Sequence, residues 1–181
     1  EKSTKPSSIL QPIDAYGISK MAAGKLGLLE AKKKKMSFIW VRIFSVYGKY
    51  ENPNSMIQVT LQKLLKNENC DFSTGTQMWD YLYSSDAGKA FLKLGDSETK
   101  NNYYCLGSGN AKPLKEYIYE MQNILHSNSK LNFGIIRDNP INRNGMCADI
   151  TTLTQDTGWV PKVDFIQGIK WEVERLRRKI K

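Results

Sequence analysis

Apolar and polar residues follow two different periods along this chain. The run Phe38-Ile39-Trp40-Val41-Arg42-Ile43-Phe44 is apolar at nearly every position, which is typical of a strand buried on both faces of a parallel sheet. Residues 55–67 instead repeat apolar side chains at the three- and four-residue spacing of a helix. This alternation of strand and helix predicts an α/β chain.

Capping and turn residues place the other predicted elements. Ser84 or Ser85 is expected to cap a helix that runs through Leu94, and Asp149 a short helix that ends at Gly158. We also predict, in chain order, a loop over 1–12, a helix over 13–35, breaks at Gly48 and at Asn52-Pro53-Asn54, a strand over 79–83, a strand over 102–106, a helix from Pro113 in its first turn to about Leu125, and a helix over 165–180.

Tyr16 and Lys20 are four residues apart at the start of the first predicted helix, so they share one helix face. A phenol is a poor base near neutral pH, but a nearby ammonium favours its phenolate form. Such a pair can move a proton to or from a hydroxyl group. The spacing alone is weak evidence, because an exposed helix pair of these types also occurs without any catalytic role.

The surrounding segments resemble the extended short-chain dehydrogenase/reductases, which include NAD-dependent nucleotide-sugar epimerases, dehydratases and reductases. The resemblance is carried by five segments in the family's order, so it covers most of the chain. They are Ala15-Tyr16-Gly17-Ile18-Ser19-Lys20, Val41-Arg42-Ile43-Phe44-Ser45-Val46-Tyr47-Gly48, Gly75-Thr76-Gln77-Met78-Trp79-Asp80-Tyr81 with Asp86, Tyr103-Tyr104-Cys105-Leu106-Gly107-Ser108-Gly109, and Ala148-Asp149-Ile150 through Gly158-Trp159-Val160-Pro161 with Phe165-Ile166-Gln167-Gly168-Ile169.

The resemblance implies a role for several residues. Tyr16 would be the catalytic acid/base, and Lys20 would hold the nicotinamide ribose of the cofactor and stabilise the phenolate. The Ile43 backbone would lie near the nicotinamide. Ser45 stands where many relatives carry an Asn that contacts the substrate, so it is either a substrate ligand or a strand-end hydroxyl bonded to backbone.

The expected diphosphate clamp is altered in this sequence. Trp79 stands where several relatives have an Arg, and an indole cannot make charge-assisted bonds to phosphate. Trp79 would either stack on a base or pack in the core, which leaves Arg143 as the candidate phosphate ligand. Asp80 and Asp86 are expected to be structural, one through a turn bond and the other as a charge at a helix start.

The resemblance predicts the C-terminal part of a Rossmann-like parallel sheet plus a smaller α/β substrate-binding domain. Residues 1–50 would be a remnant of the dinucleotide-binding domain, and 51–181 mainly the substrate-binding domain, with about 84–110 returning to the Rossmann-like sheet. The family's Gly-rich turn for the cofactor pyrophosphate does not occur in this sequence. We therefore expect a missing N-terminal cofactor-domain segment, without which the chain is inactive.

These features favour an enzyme that uses NAD or NADP to oxidise or reduce C4 of a nucleotide-sugar. Epimerisation, dehydration and net reduction remain open at this stage. The alternative is a non-catalytic relative of the same fold that binds a nucleotide or a protein. By resemblance we also expect a homodimer formed through the helix that carries Tyr16 and Lys20, because Ile18, Leu26 and Leu29 leave apolar surface on more than one of its sides.

Composition narrows the partners. The net charge of +9 is concentrated in Lys32-Lys33-Lys34-Lys35 and in residues 175–181, which we interpret as solvated helix C-termini. No aromatic stacking pattern accompanies these runs, so nucleic acid is not expected. Three dispersed cysteines and one histidine disfavour a disulfide frame or a metal site, and no apolar run is long enough to span a membrane. A cytoplasmic protein is expected.

Overall fold

A computed structural model of the protein describes residues 3–99, 101–138 and 145–180. In these residues the chain forms short strands and six helices. In this part of the chain, no helix is long and apolar enough to cross a bilayer. The elements are α1 (Ala15–Lys33), β1 (Trp40–Ile43), β2 (Ser45–Tyr47), α2 (Met56–Leu65), β3 (Cys70–Asp71), β4 (Met78–Trp79), β5 (Tyr81–Tyr83), α3 (Ser84–Asp96), β6 (Tyr103–Leu106), β7 (Lys112–Pro113), α4 (Leu114–Leu125), β8 (Leu131–Asn132), α5 (Thr151–Thr157) and α6 (Phe165–Ile180).

Three of the four strand pairs are parallel and join segments distant in sequence. β1 pairs with β6, with Trp40 opposite Tyr103, and β2 pairs with β5, with Ser45 opposite Tyr81. β3 pairs in parallel with β8, whereas β4 and β7 are antiparallel. The parallel pairs require helical crossovers, which accounts for the alternation seen in the sequence.

The predicted strand over 79–83 is divided at Asp80. β4 before it pairs antiparallel with β7, while β5 after it pairs in parallel with β2. The two halves therefore belong to different sheets, and Asp80 is the residue at which the chain passes from one to the other. β3 and β8, two residues each, were not anticipated, because such short strands carry no periodic signal.

Two of the predicted caps were wrong. The third helix begins at Ser84 itself, with Tyr83 as a cap that makes no side-chain hydrogen bond, because β5 continues directly into the helix. Asp149 does not cap α5 either, because Ile150 is the N-cap. The Asp149 carboxylate accepts from the Thr151 N–H, and the hydroxyl and the N–H of Thr151 together lower the pKa of Asp149. Pro113 lies at the N-cap of α4 rather than in its first turn.

The core forms two clusters. One lies between α2, α4 and α6 and includes Tyr47, Leu61 and Ile118, each at most 1% exposed. The other lies against β5, α3 and β6 and includes Leu82 and Leu106. The first cluster joins Tyr47 to Leu176 and the second joins Leu82 to Trp159, so local segments cannot form either core alone.

The expected solvated face of the last helix is wrong at Arg175. Its guanidinium donates to the buried Glu172 carboxylate at 2.6 and 2.9 Å and to Gln58 Oε1 at 2.9 Å. Tyr83 and Gln58 also donate to Glu172. Glu172 is 1% exposed, and the cation is needed to compensate for burying its charge. Lys32 and Lys33 do lie in the last turn of α1, as predicted.

Asp80 joins three segments of the chain through one fully buried carboxylate. Oδ1 accepts from the Ser108 N–H and the Ser108 hydroxyl, each at 2.7 Å. Oδ2 accepts from the Gly109 N–H at 3.2 Å and the Ala148 N–H at 2.9 Å. Asp80 therefore has the structural role that we expected, but it accepts four hydrogen bonds from two distant segments and not one hydrogen bond within a turn.

We predict that Asp80→Ala lowers the free energy of unfolding by about 3 kcal/mol, because it removes the acceptor of the buried Ala148 N–H and of the partly buried N–H groups of Ser108 and Gly109. The measurement is urea unfolding followed by circular dichroism. Asp96→Ala, at the exposed end of α3, removes the same charge and should change stability by less than about 0.5 kcal/mol. Equal losses in the two variants would contradict a special role for Asp80.

Candidate active-site cleft

Tyr16 and Lys20 open onto one cleft between α1, β1 and the loop that precedes α1. The cleft has a volume of about 680 Å³, and Ile43 is also among its lining residues. Lys20 Nζ lies 5.4 Å from the centroid of the Tyr16 ring, and the Tyr16 side chain is 72% exposed. The structure thus brings together three residues to which the sequence assigned one site.

α1 is held on the sheet by the close approach of two glycines to aromatic rings. A Cβ atom at Gly24 would lie 2.6 Å from the Trp40 indole, and one at Gly27 would lie 2.6 Å from the Phe38 ring. At its start, the Asp14 carboxylate caps the helix by accepting from the Gly17 N–H at 2.7 Å. These contacts fix the axial position of the helix, and with it the position of Tyr16.

Ile43 is the last residue of β1, and its side chain is 54% exposed. The carboxyl end of a parallel strand is the usual place for a ligand in an open α/β sheet. The next N–H, that of Phe44, is bonded to the Leu106 carbonyl at 2.9 Å. The strand end beside Tyr16 is therefore fixed by its parallel neighbour β6.

Arg42 also lines the Tyr16 cleft, although no motif in the sequence assigned it a role. Its guanidinium Nη1 donates to the Ser8 carbonyl at 3.0 Å and the Lys5 carbonyl at 3.3 Å, and its buried Nε makes no hydrogen bond. Opposite it on β6 is Cys105, a buried thiol whose pKa is raised to about 11 by burial, although the Arg42 charge opposes the shift. The signal available in the sequence was a single cation within an apolar strand.

The remaining predicted ligands are not assembled in this cleft. Ser45 begins β2, is half-buried, and does not line the cleft. Trp79 lies on β4, where its ring is 6.3 Å from that of Tyr81 and its buried indole N–H has no partner. Arg143 lies outside the described residues. We considered that Trp79 either stacks on a base or packs in the core, and the contact that the structure shows is with the Tyr81 ring.

Comparison with known proteins identifies the family. The family model for NAD dependent epimerase/dehydratase proteins matches residues 1–107, and this chain belongs to that family. CDP-abequose synthase of Salmonella typhimurium is 28% identical over 180 residues, which cover 92% of this chain and 57% of that protein. The dTDP-D-glucose 4,6-dehydratase of Mus musculus is 28% identical, with 95% of this chain and 50% of that protein covered.

The α/β fold is confirmed by a solved structure. UDP-glucuronic acid 4-epimerase from Bacillus cereus, in complex with UDP-glucuronic acid and NAD, superposes with a TM-score of 0.86 at 20% identity. The match covers 99% of this chain and 57% of that chain. The chain thus spans about half the length of the relatives that it matches.

We predict that Gly24→Ala lowers the free energy of unfolding by about 1–3 kcal/mol, because its methyl group meets the Trp40 indole. The helix propensity of alanine acts in the opposite direction. Gly88→Ala in α3 is the matched control, since a Cβ there has no neighbour within 4 Å, and it should gain up to about 1 kcal/mol. Both are measured by urea unfolding, and stabilisation by Gly24→Ala would refute the close approach.

Proposed function

We propose that this chain is part of an enzyme that uses NAD or NADP to oxidise or reduce C4 of a nucleotide-sugar. The observation that carries the proposal is the convergence of Tyr16 and Lys20 with Ile43, the last residue of β1, on one cleft that runs along this strand. Family membership adds support, because its characterised relatives include a dTDP-D-glucose 4,6-dehydratase and an epimerase solved with UDP-glucuronic acid and NAD.

Tyr16 is the proposed acid/base. In the oxidation direction, its phenolate takes the proton from the C4 hydroxyl as a carbonyl forms at C4, and in the reverse direction its hydroxyl returns that proton. Lys20, 5.4 Å from the ring centroid, stabilises the phenolate and bonds the nicotinamide ribose. A bound nicotinamide supplies the site that accepts or returns the C4 hydrogen with its electron pair.

The residues that line this cleft are compatible with a nicotinamide ribose. The open side chain of Tyr16 and the ammonium of Lys20 provide polar groups beside an apolar wall that includes Ile43. No Gly-rich pyrophosphate turn occurs in the sequence. We therefore propose that an N-terminal cofactor-domain segment outside these 181 residues supplies that cradle, with residues 1–50 and about 84–110 completing its sheet and most of 51–181 binding the substrate.

We predict that Tyr16→Phe reduces turnover by about 10²–10⁴-fold in the full-length enzyme, because the ring stays while the transferable proton is lost. Lys20→Met should reduce both turnover and affinity for the cofactor. The measurements are the rate at which a nucleotide-sugar is converted to product, because epimerisation and dehydration return the nicotinamide to its starting redox state, and calorimetric titration with NAD and NADP.

Tyr119→Phe is the matched control, since it removes a hydroxyl from a half-exposed ring on α4, away from the cleft. Its turnover should equal that of the unmodified enzyme. Unchanged turnover in Tyr16→Phe would exclude the acid/base role. Binding of a nucleotide-sugar without its conversion to any product, in the unmodified enzyme, would favour the non-catalytic alternative.

We further propose that α1 forms a two-fold interface between copies of the protein. Ile18, Leu26 and Leu29 are 51–61% exposed on this helix, although α1 also packs on the sheet through Gly24. Extended exposed apolar surface of this kind favours a partner. A second copy of the same helix would be self-complementary about a two-fold axis.

We predict that the purified chain self-associates and that Leu26→Glu shifts it to monomer, because a carboxylate cannot be buried unpaired in an apolar interface. Light scattering over a range of concentrations measures the change. Leu92→Glu, which alters a 69% exposed leucine on α3, is the control and should leave the mass unchanged. A monomer at every concentration would overturn the interface.

A further inference from the structure

The segment that leads into α1 forms part of the wall of the Tyr16 cleft. We call this segment, residues 4–12, the strap, and its last three residues, 10–12, line the cleft. The strap also contacts the first turn of α1, since a Cβ atom at Gly17 would lie 3.0 Å from Pro12 Cβ. Gly17 follows Tyr16 in the chain. The path of the strap therefore constrains the helical turn that carries Tyr16.

The strap is closed into a turn near its start. The Ser8 N–H donates to the Lys5 carbonyl at 3.0 Å, and the Lys5 N–H donates to the Ser8 hydroxyl at 2.9 Å. Just before this turn, the Thr4 N–H donates to the Cys147 carbonyl at 2.7 Å, in the segment that precedes α5. These bonds shape the turn and anchor its start, but they do not join it to β1.

Arg42 connects this turn to the sheet. Arg42 lies on β1, whose backbone is paired with β6. Its Nη1 donates to both carbonyls of the turn, at 3.0 Å to Ser8 and at 3.3 Å to Lys5. One guanidinium nitrogen carries two N–H groups, so it can serve both acceptors together. Because both acceptors are backbone atoms, the contact determines the path of the strap itself.

We propose that Arg42 is a positioning residue, which holds the strap on β1 and thereby keeps Tyr16 where it can exchange a proton with the substrate. This role rests on the acid/base function proposed above for Tyr16. Lys20 lies one turn further along α1, toward Gly24, where the close approach to the Trp40 indole holds the helix on the sheet. Loss of the Arg42 guanidinium should therefore displace the first turn of α1 and leave the turn of Lys20 in place.

The first test measures the order of the strap in the 181-residue chain. Arg42→Met keeps an unbranched side chain and loses the N–H donors. Backbone NMR relaxation should show the order parameters of residues 7–11 falling from about 0.85 to below about 0.6, with no change at Gly24. Arg42→Lys keeps a cation with N–H donors and should restore most of this order. Arg177→Met removes an exposed guanidinium from α6 and is the matched control.

The second test separates turnover from cofactor affinity in the full-length enzyme. Arg42→Met should lower turnover with saturating nucleotide-sugar by about tenfold or more, because a reacting group misplaced by about 1 Å can cost about 10²-fold. Calorimetric titration should give the same affinity for NAD or NADP as in the unmodified enzyme, in contrast to Lys20→Met. Arg177→Met should change neither quantity. Unchanged turnover in Arg42→Met, or an equal loss in Arg177→Met, would overturn the positioning role.

Ser8→Ala keeps the proposal testable if Arg42→Met does not fold. It removes the hydroxyl that accepts from the Lys5 N–H and leaves β1 intact, so it should loosen the strap and lower turnover without changing cofactor affinity. A strap that is equally ordered with and without the Arg42 guanidinium would refute the positioning role, whether or not the enzyme is active. An unmodified enzyme that converts no nucleotide-sugar would instead refute the proposed function.

Discussion

The carboxylate of Asp80 connects the parts of this protein that no local sequence could hold together. It lies where the chain leaves one sheet for another, and it accepts from the β6 exit loop and from Ala148. Ala148 in turn neighbours Thr4 in an isolated parallel bridge, in which Thr4 donates to the Cys147 carbonyl at 2.7 Å. Through Ala148, the segment that leads to Tyr16 is thereby connected to Asp80, the residue at which the chain passes from one sheet to the other.

Arg42 binds the same segment at two further residues. Its guanidinium holds the Lys5 and Ser8 carbonyls, while its own strand is paired with β6. Together with the Gly24–Trp40 contact, these interactions determine where Tyr16 stands relative to the end of β1. The position of Tyr16 therefore depends on hydrogen bonds to backbone carbonyls and on a glycine–indole contact, none of which involves Tyr16 itself.

Two clefts of this protein differ in the physics that each offers to a ligand. The Tyr16 cleft runs along β1 and has an exposed phenol beside an ammonium. Another cleft, lined by Tyr117 and Phe165, contains the Lys112–Glu120 ion pair against these aromatic rings. Among the described residues, the first cleft therefore presents an uncompensated cation, whereas the cation of the second is already paired.

Much of the secondary structure could be predicted from the sequence, because the patterns that indicate strands and helices involve residues close together in the chain. The apolar run at 38–44 indicated a strand, and the observed β1 lies within it; the expected burial on both faces was wrong, because Trp40, Val41 and Arg42 are only half-buried and Ile43 is exposed. The four-residue spacing of Tyr16 and Lys20 marked one helix face, and the alternation of strand and helix indicated the α/β class. Helix existence was predicted well for the same reason, since helical spacing is set by neighbours a few residues apart.

Other features depended on contacts between segments that are distant in sequence. The break at Asp80, where β4 and β5 pair with different strands, and the hydrogen bond from Arg175 to Gln58 are not encoded by any local period. The caps at Ser84 and Asp149 were misassigned because a strand entering a helix directly, or a neighbouring backbone N–H, competed for the same positions. The sequence by itself determined the elements and the Tyr16–Lys20 pair, because both are short-range; only the tertiary structure decided which strand ends, charges and rings meet, because burial and hydrogen bonding between distant segments are satisfied only once the chain has folded.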